Sequence, residues 1–406
     1  MTAIKERVSN ERKVKDGRNR DLLFSIPSRI ILSAEGMSFF LSHKRQLHCF
    51  ETADGERHFG FHIQKAGFAW VKKLLLKGYI RKIEIQVKDI TSYRRHLEDG
   101  VRMVFFSMLR RRISLSVMEY IYTSPLVKAW NRKNPKKSFG PGVRLAEENI
   151  RRILSTGTGD RIEDLKAELY RNIIGAIPPS VWDAQEDPRS LYNFIREVTE
   201  DFNLLVFFVL AGSRGEDRLR LLRDISVRVR DLVMTMDILN LASLLVIELV
   251  SAAERSGLVR TLENTATMNI RSILESPSRR KALMEEKDFR GSTVVISIPA
   301  DANSENRRLR FRFSVHNDGA DAEAERKLME DVTERSYSFN EGRRLAEFFK
   351  TPPSKRGSGV YDDNGLCFYY LTILQEQCRA HKILLDANIK QSDFGDSVVT
   401  TLRFGL

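Results

Sequence analysis

The feature that most constrains this chain is the order of four patterned segments toward its C-terminal end. An apolar helical run, LLVIELVSAAERSG, covers Leu244 to Gly257. A strand that ends in a turn, FRFSVHNDGAD, covers Phe311 to Asp321. A glycine-led helical run, GLCFYYLTILQEQC, follows from Gly365 to Cys378, and GDSVVTTLRF closes the series from Gly395 to Phe404. Leu309, Phe311, Phe313 and Val315 alternate strictly with polar residues, as a half-buried strand requires. Val294–Ile298, Lys382–Ala387 and Ser397–Phe404 read as further strands. Helical and strand periods that alternate in this way predict an α/β sandwich from about Ile238 onward, with helices on one face of an antiparallel-rich sheet. The terminal strand is expected inside that sheet.

The rest of the chain divides by composition. Residues 1–20 are polar and basic, a tail with little to bury. Ile30–Leu32, Phe39–Leu41, Leu47–Phe50 and His58–Ile63 look like strands, and Asp54-Gly55 supplies a hairpin turn between the last two. A helix over Ala66–Leu76, a strand over Ile80–Val87 and a helix over Ser92–Tyr122 follow. The segment from Trp130 to Gly142 reads as a basic loop and a domain boundary. Ile162, Leu165, Leu169 and Ile173 then share a helical face that Pro178-Pro179 ends. Leu191, Phe194, Ile195, Val198, Phe202 and Leu205 face inward from a second helix, opened by Asp187-Pro188. Between Arg218 and Met236 the pattern suits either a helix, with Leu219, Leu222, Ile225 and Val229 inward, or an alternating strand. The expected architecture is α+β and multidomain: a tail at 1–20, a basic β-rich domain at 21–142, a helical region at 143–237 and the sandwich at 238–406.

Charge separates the halves. Lys and Arg number 67 against 54 Asp and Glu, a net +13. Residues 1–150 hold 30 of the bases and 15 of the acids, so they carry +15 and the remainder −2. Such asymmetry suggests an acidic partner for the first half: nucleic acid, an anionic membrane surface or an acidic protein. Arg110, Arg111, Arg112, Trp130, Arg132, Lys133, Lys136, Lys137 and Phe139 interleave cations with rings, which suits phosphates and bases. Cys49, Cys367 and Cys378 form no metal spacing and suggest no disulfide framework. The apolar runs Leu204–Leu210 and Leu241–Ile247 are too short to span a bilayer, and the polar N-terminus carries no secretory pattern. A cytoplasmic protein is the expectation.

The segment order from about Ile238 to Leu406 resembles the nucleotide-binding domain of the histidine-kinase and gyrase-like (GHKL) ATPases. That family's first motif is a helical glutamate followed four residues later by an asparagine, which puts both on one helix face. Glu248 stands at the glutamate, the candidate base, and Ala252 at the asparagine that would hold Mg²⁺. In the second motif, Asn317 replaces the adenine-binding aspartate, Gly319 is kept, and Asp321 replaces a glycine. The glycine-rich phosphate loop matches Gly357, Gly359 and Gly365, with Lys355 and Arg356 before it, but Val360–Asn364 interrupts it. Leu258–Leu274 looks like an inserted helix. The resemblance implies ATP as ligand; the departures imply weak binding at most, no metal site and no competent hydrolysis. No histidine lies between Tyr122 and His316, so the helical middle offers no phosphoacceptor.

The function these features suggest is a signalling or scaffold protein with a degenerate ATPase-like module, acting through a protein partner or as a homodimer. Two alternatives stand beside it. One is a nucleic-acid-associated regulator that binds through residues 1–150. The other is an active ATPase with unusual metal ligands.

Overall fold

The computed structural model describes residues 28–51, 57–63, 67–140, 150, 161–183, 188–263, 276–285, 291–298, 310–317, 322–338, 366–391 and 398–405. These fall into two compact units. One draws on residues up to Ser107 and from Ile238 onward, and the other on Met108–Asp237.

The first unit contains β1 (Ser28–Leu32), α1 (Ala34–Ser42), β2 (His48–Glu51), β3 (Arg57–His62), α2 (Phe68–Lys77) and β4 (Ile80–Val87). The long α3 (Ile90–Thr123) begins in it. The second unit holds the remainder of α3, then α4 (Pro125–Lys133), α5 (Arg161–Ala176), α6 (Pro179–Asp183), α7 (Pro188–Glu200), α8 (Leu204–Gly212) and α9 (Gly215–Val233). The chain re-enters the first unit along α10 (Met236–Glu263). It adds α11 (Pro277–Glu285), β5 (Ser292–Ser297), β6 (Arg310–Asn317), α12 (Ala322–Ser338), α13 (Leu366–Ala380), β7 (Leu384–Gln391) and β8 (Val398–Gly405).

Among the described residues the eight strands form one sheet in the order β2-β3-β1-β4-β5-β6-β8-β7, and each of these pairings is antiparallel. The strands of residues 28–87, which the sequence suggested as a region of their own, therefore continue the sheet built by residues 292–405, joined where β4 pairs β5. The protein is thus α+β with an antiparallel sheet, and β8 is an inner strand between β6 and β7.

Two neighbouring rows of side chains show how the sequence sorts this sheet into faces. Phe61, Ile30, Ile83, Ile296, Phe313 and Leu402 lie opposite one another across six strands, and all are at most 2% exposed. One residue along, the row reads His62, Arg29, Glu84, Val295, Ser314, Thr401 and Asn388. Period-two alternation puts each row on its own face. Helices cover the apolar one. Phe40 of α1 stacks on Phe61 at 4.6 Å. Phe105 of α3 meets Phe311, Phe313 and Phe404 at 5.3, 4.8 and 5.4 Å. Between β4 and α3 a small apolar cavity is lined by Ile83, Ile85, Leu97, Gly100, Met103 and Val104.

Gly60 is required by this packing: a Cβ there would lie 1.8 Å from the Ile30 carbonyl oxygen.

The second unit is helical. Helix α5 packs on α7, α8 and α9. The segment between Arg218 and Met236 is helical through α9, with Leu222, Ile225 and Val229 buried. Leu219, expected inward, is 62% exposed. Tyr120 donates a 2.6 Å hydrogen bond to Asp224, and burial, then that bond, push its phenol up to about 12.

Three further expectations change. Phe39–Leu41 is helical, because the Ser33 hydroxyl accepts from the Gly36 N–H at 3.1 Å and starts α1. Much of the expected loop after Trp130 is the end of α4 and a 3-10 turn at Pro135–Lys137. Ser124 caps α4 and Pro125 suits its first turn. The proposed inserted helix begins inside α10, which runs unbroken to Glu263; residues 264–274 and the Asp54-Gly55 turn lie outside the described residues. The stretch Gly215–Leu258 holds an 18-residue window long and apolar enough to cross a membrane, and 67% of it is buried inside the protein. Its apolar positions extend past the short Leu241–Ile247 run.

All three cysteines are free thiols. Cys49 is exposed, whereas Cys367 and Cys378 are buried, and burial pushes the Cys378 thiol up to about 12. A chromogenic disulfide reagent should therefore titrate one fast thiol in the folded protein and all three after unfolding. Fast reaction of two or more in the native state would contradict this burial.

Candidate nucleotide site and a buried carboxylate

Helix α10 carries the first group of candidates. Its apolar stripe (Ile238, Leu239, Ala242, Leu245, Val246, Ile247, Leu249, Val250) is buried, which leaves Leu244, Glu248 and Ala252 on a half-buried flank. Glu248 and Ala252 thus share one side of the helix, as a four-residue spacing dictates. The Glu248 carboxylate is occupied: Arg94 of α3 donates to it at 2.5 Å, with 13% of the glutamate side chain and 48% of the arginine exposed. The arginine thereby fixes the orientation of this carboxylate.

Asn317 is the last residue of β6, buried, and in register with Ser292 and Val398. It lies on the same sheet face as Phe313 and Val315. Gly319, Asp321, Lys355, Gly357, Gly359 and Gly365 lie outside the described residues; α13 begins at Leu366, directly after Gly365. The structure therefore describes two of the sequence-predicted site residues, Glu248 and Asn317, one on α10 and the other at the end of β6.

The sequence reading missed Glu254. It sits on the buried side of α10, 2% exposed. Its carboxylate accepts from the backbone N–H of Ile90, the first residue of α3, and from Arg280 of α11 at 2.6 Å. Asp89 caps the same end of α3 by accepting from the Ser92 N–H at 3.2 Å. Burial pushes the Glu254 carboxyl above the usual carboxylate range, against the opposing pull of the Ile90 N–H and the Arg280 charge, and Asp89 adds to the rise. The signal was present in the helical phase: position 254 falls four after Val250 and four before Leu258, both fully buried. An acid in that phase has to find partners inside the fold.

The basic cluster expected at 110–139 is divided, part of it inside the fold and part exposed. Arg110 is 6% exposed and bonded to Glu197 of α7 and to Asp201 just after that helix. Arg111 is half-buried, and burial pushes its guanidinium down. Arg112 has buried Nε and Nη1 atoms without a hydrogen-bond partner. Trp130 and Phe139 pack with Phe208 at 6.2 and 5.9 Å. Arg132, Lys133 and Lys136 do remain exposed. Among the described residues no group of three or more His, Cys, Asp or Glu is arranged to hold a metal.

A family model described as a family of unknown function, DUF8084, matches residues 19–406. The chain belongs to this family. A DUF8084 chain of this kind is also similar to an uncharacterized protein of Treponema pallidum (strain Nichols), at 28% identity over 123 residues. That match covers 30% of the present chain and 32% of the treponemal protein, so the two share about a third of their lengths. No solved structure matches the chain.

Proposed function

We propose that residues 238–406, whose strands share one sheet with those of residues 28–87, carry a degenerate site of the histidine-kinase and gyrase-like ATPase type, and that the protein works in signalling or as a scaffold by binding a protein partner. The observation that carries this reading is the order of elements: α10, β5, β6, α12, α13, β7 and β8, with the strands arranged β5-β6-β8-β7. It agrees with the order of the four segments on which the resemblance rests. The decay of the site supports binding over turnover. Ala252 offers no side-chain oxygen to a divalent ion, and Glu248 is engaged by Arg94. Without a metal, the charge of a phosphoryl-transfer transition state has little to neutralise it.

Equilibrium binding of a fluorescent ATP analogue, with and without Mg²⁺, tests the reading. The expected result is an affinity that Mg²⁺ does not change and no Mg²⁺-dependent ATP turnover. Robust hydrolysis that Glu248→Gln abolishes would make the protein an active ATPase with another metal ligand. Introducing Ala252→Asn is expected to make analogue binding respond to Mg²⁺, because it returns an amide oxygen to the flank that carries Glu248.

A further inference from the structure

We infer that the outer surface of α1 and α2 binds single-stranded nucleic acid. Trp70, Lys73 and Lys77 recur at three- and four-residue steps along α2 and so share one face of that helix. Phe39 and His43 sit four apart at the end of α1, and Tyr79 follows Gly78, whose φ of 71° turns the chain back at the end of α2. The four rings form one cluster. Phe39 lies 4.4 Å from His43, 5.8 Å from Trp70 and 5.2 Å from Tyr79, and His43 lies 5.1 Å from Trp70. Cations cover their faces. Lys73 is 5.3 Å from the Phe39 ring and 5.5 Å from that of Trp70, Lys77 is 5.4 Å from Phe39 and 5.9 Å from Tyr79, and Arg45 is 5.5 Å from Trp70. Phe39, Trp70 and Tyr79 are half-buried; His43, Arg45, Lys73 and Lys77 are exposed.

Charge decides the class of ligand. Residues 33–50 and 67–82 contain Lys44, Arg45, Lys72, Lys73, Lys77, Arg81 and Lys82 against a single acid, Glu35. Lys82 is matched by Glu84 at 2.8 Å. Among the described residues, Arg45, Lys73 and Lys77 are in no salt bridge, and the ring faces are their compensation. A cation over a ring at a solvent-exposed site is held only weakly, so a phosphate competes for it on favourable terms. When a phosphate draws the lysine away, it uncovers the aromatic face beneath. A single strand supplies both halves of that exchange, phosphates for the cations and unpaired bases for the rings. A duplex keeps its bases stacked inside. A bilayer would need rings that project, whereas Trp70 is hemmed in by Phe39, Phe40 and His43. The sequence shows such a combination of rings and bases at 110–139; the fold assembles another from α1 and α2.

Fluorescence anisotropy with the full chain and a labelled oligothymidylate of about 20 nucleotides, at about 50 mM salt, tests the proposal. Binding should weaken steeply as salt rises, because released counterions drive it. Lys73→Glu together with Lys77→Glu, at exposed positions that leave the fold intact by circular dichroism, should weaken binding at least about tenfold and lower the salt slope. Trp70→Phe should keep most of the affinity, whereas Trp70→Ala should lose about tenfold or more through lost stacking. A duplex of equal length should bind less tightly, and vesicles rich in phosphatidylserine should not carry the protein on flotation. Three results would overturn the proposal: no binding at low salt, binding indifferent to the two lysines, or flotation on vesicles without oligonucleotide binding, which would make the surface a membrane contact.

Discussion

Phe313→Ala is expected to lower the free energy of unfolding by about 3–5 kcal/mol, the range for truncating a buried aromatic in a packed core. Phe313 is 1% exposed, stacks on Phe105 at 4.8 Å and meets Phe311 and Phe404 at 5.8 and 6.3 Å. Its removal opens a void that three other rings, fixed on β6, β8 and α3, cannot refill. Phe105→Ala should cost a comparable amount. The two changes together should cost less than their sum, because each deletes the same stacked contact. Phe59, 48% exposed on β3, supplies the control: Phe59→Ala should stay within about 1 kcal/mol. Urea titrations of the four variants measure all of this. Equal losses for Phe313→Ala and Phe59→Ala would contradict the difference in burial between the two rings.

The second large effect centres on Glu254. Arg280→Met removes the cation from a carboxyl that is 2% exposed and should cost about 3 kcal/mol near neutral pH. Glu254→Gln alone should be much milder, since the amide oxygen still accepts from the Ile90 N–H. The double variant should recover most of the Arg280→Met loss, because no buried charge remains to be compensated. The pH dependence has a definite sign. Burial raises the folded pKa of Glu254 above its unfolded value, so the folded state holds the proton more tightly. The contribution of this group to stability is greatest below the unfolded value of about 4.3 and declines as pH rises through the raised folded pKa. Glu254→Gln should flatten that decline and Arg280→Met should extend it upward in pH. Stability curves that decline identically for wild type and Glu254→Gln would show that this carboxyl is not the source.

What could be read from the sequence follows the range of the interactions involved. The period-two run on β6 reports local burial on one face, and the strand forms where the pattern puts it. The buried phase of Glu254 on α10 is equally local. Phe39–Leu41 misled because a short apolar run suits either element, and the deciding hydrogen bond comes from Ser33, outside the run. Arg110 misled for the opposite reason. Its acids, Glu197 and Asp201, lie 87 and 91 residues along the chain, where no local pattern points to them. The nucleotide-site reading drew on segment order; of its residues, Glu248 and Asn317 belong to described elements.

The junction of β4 with β5 has a consequence for how the protein is made. Lys82 pairs with Ser297 and Val87 with Ser292, so the middle of the sheet is closed by segments more than two hundred positions apart in the chain. During synthesis β4 leaves the ribosome with one edge open, and the whole helical unit of Met108–Asp237 is translated before its partner strand exists. Contacts of such long range close slowly, and an unpaired strand edge is a template for the wrong neighbour. The seam between β4 and β5 is therefore where nascent chains would misassociate, and where a chaperone that shields strand edges would most improve the yield of folded protein.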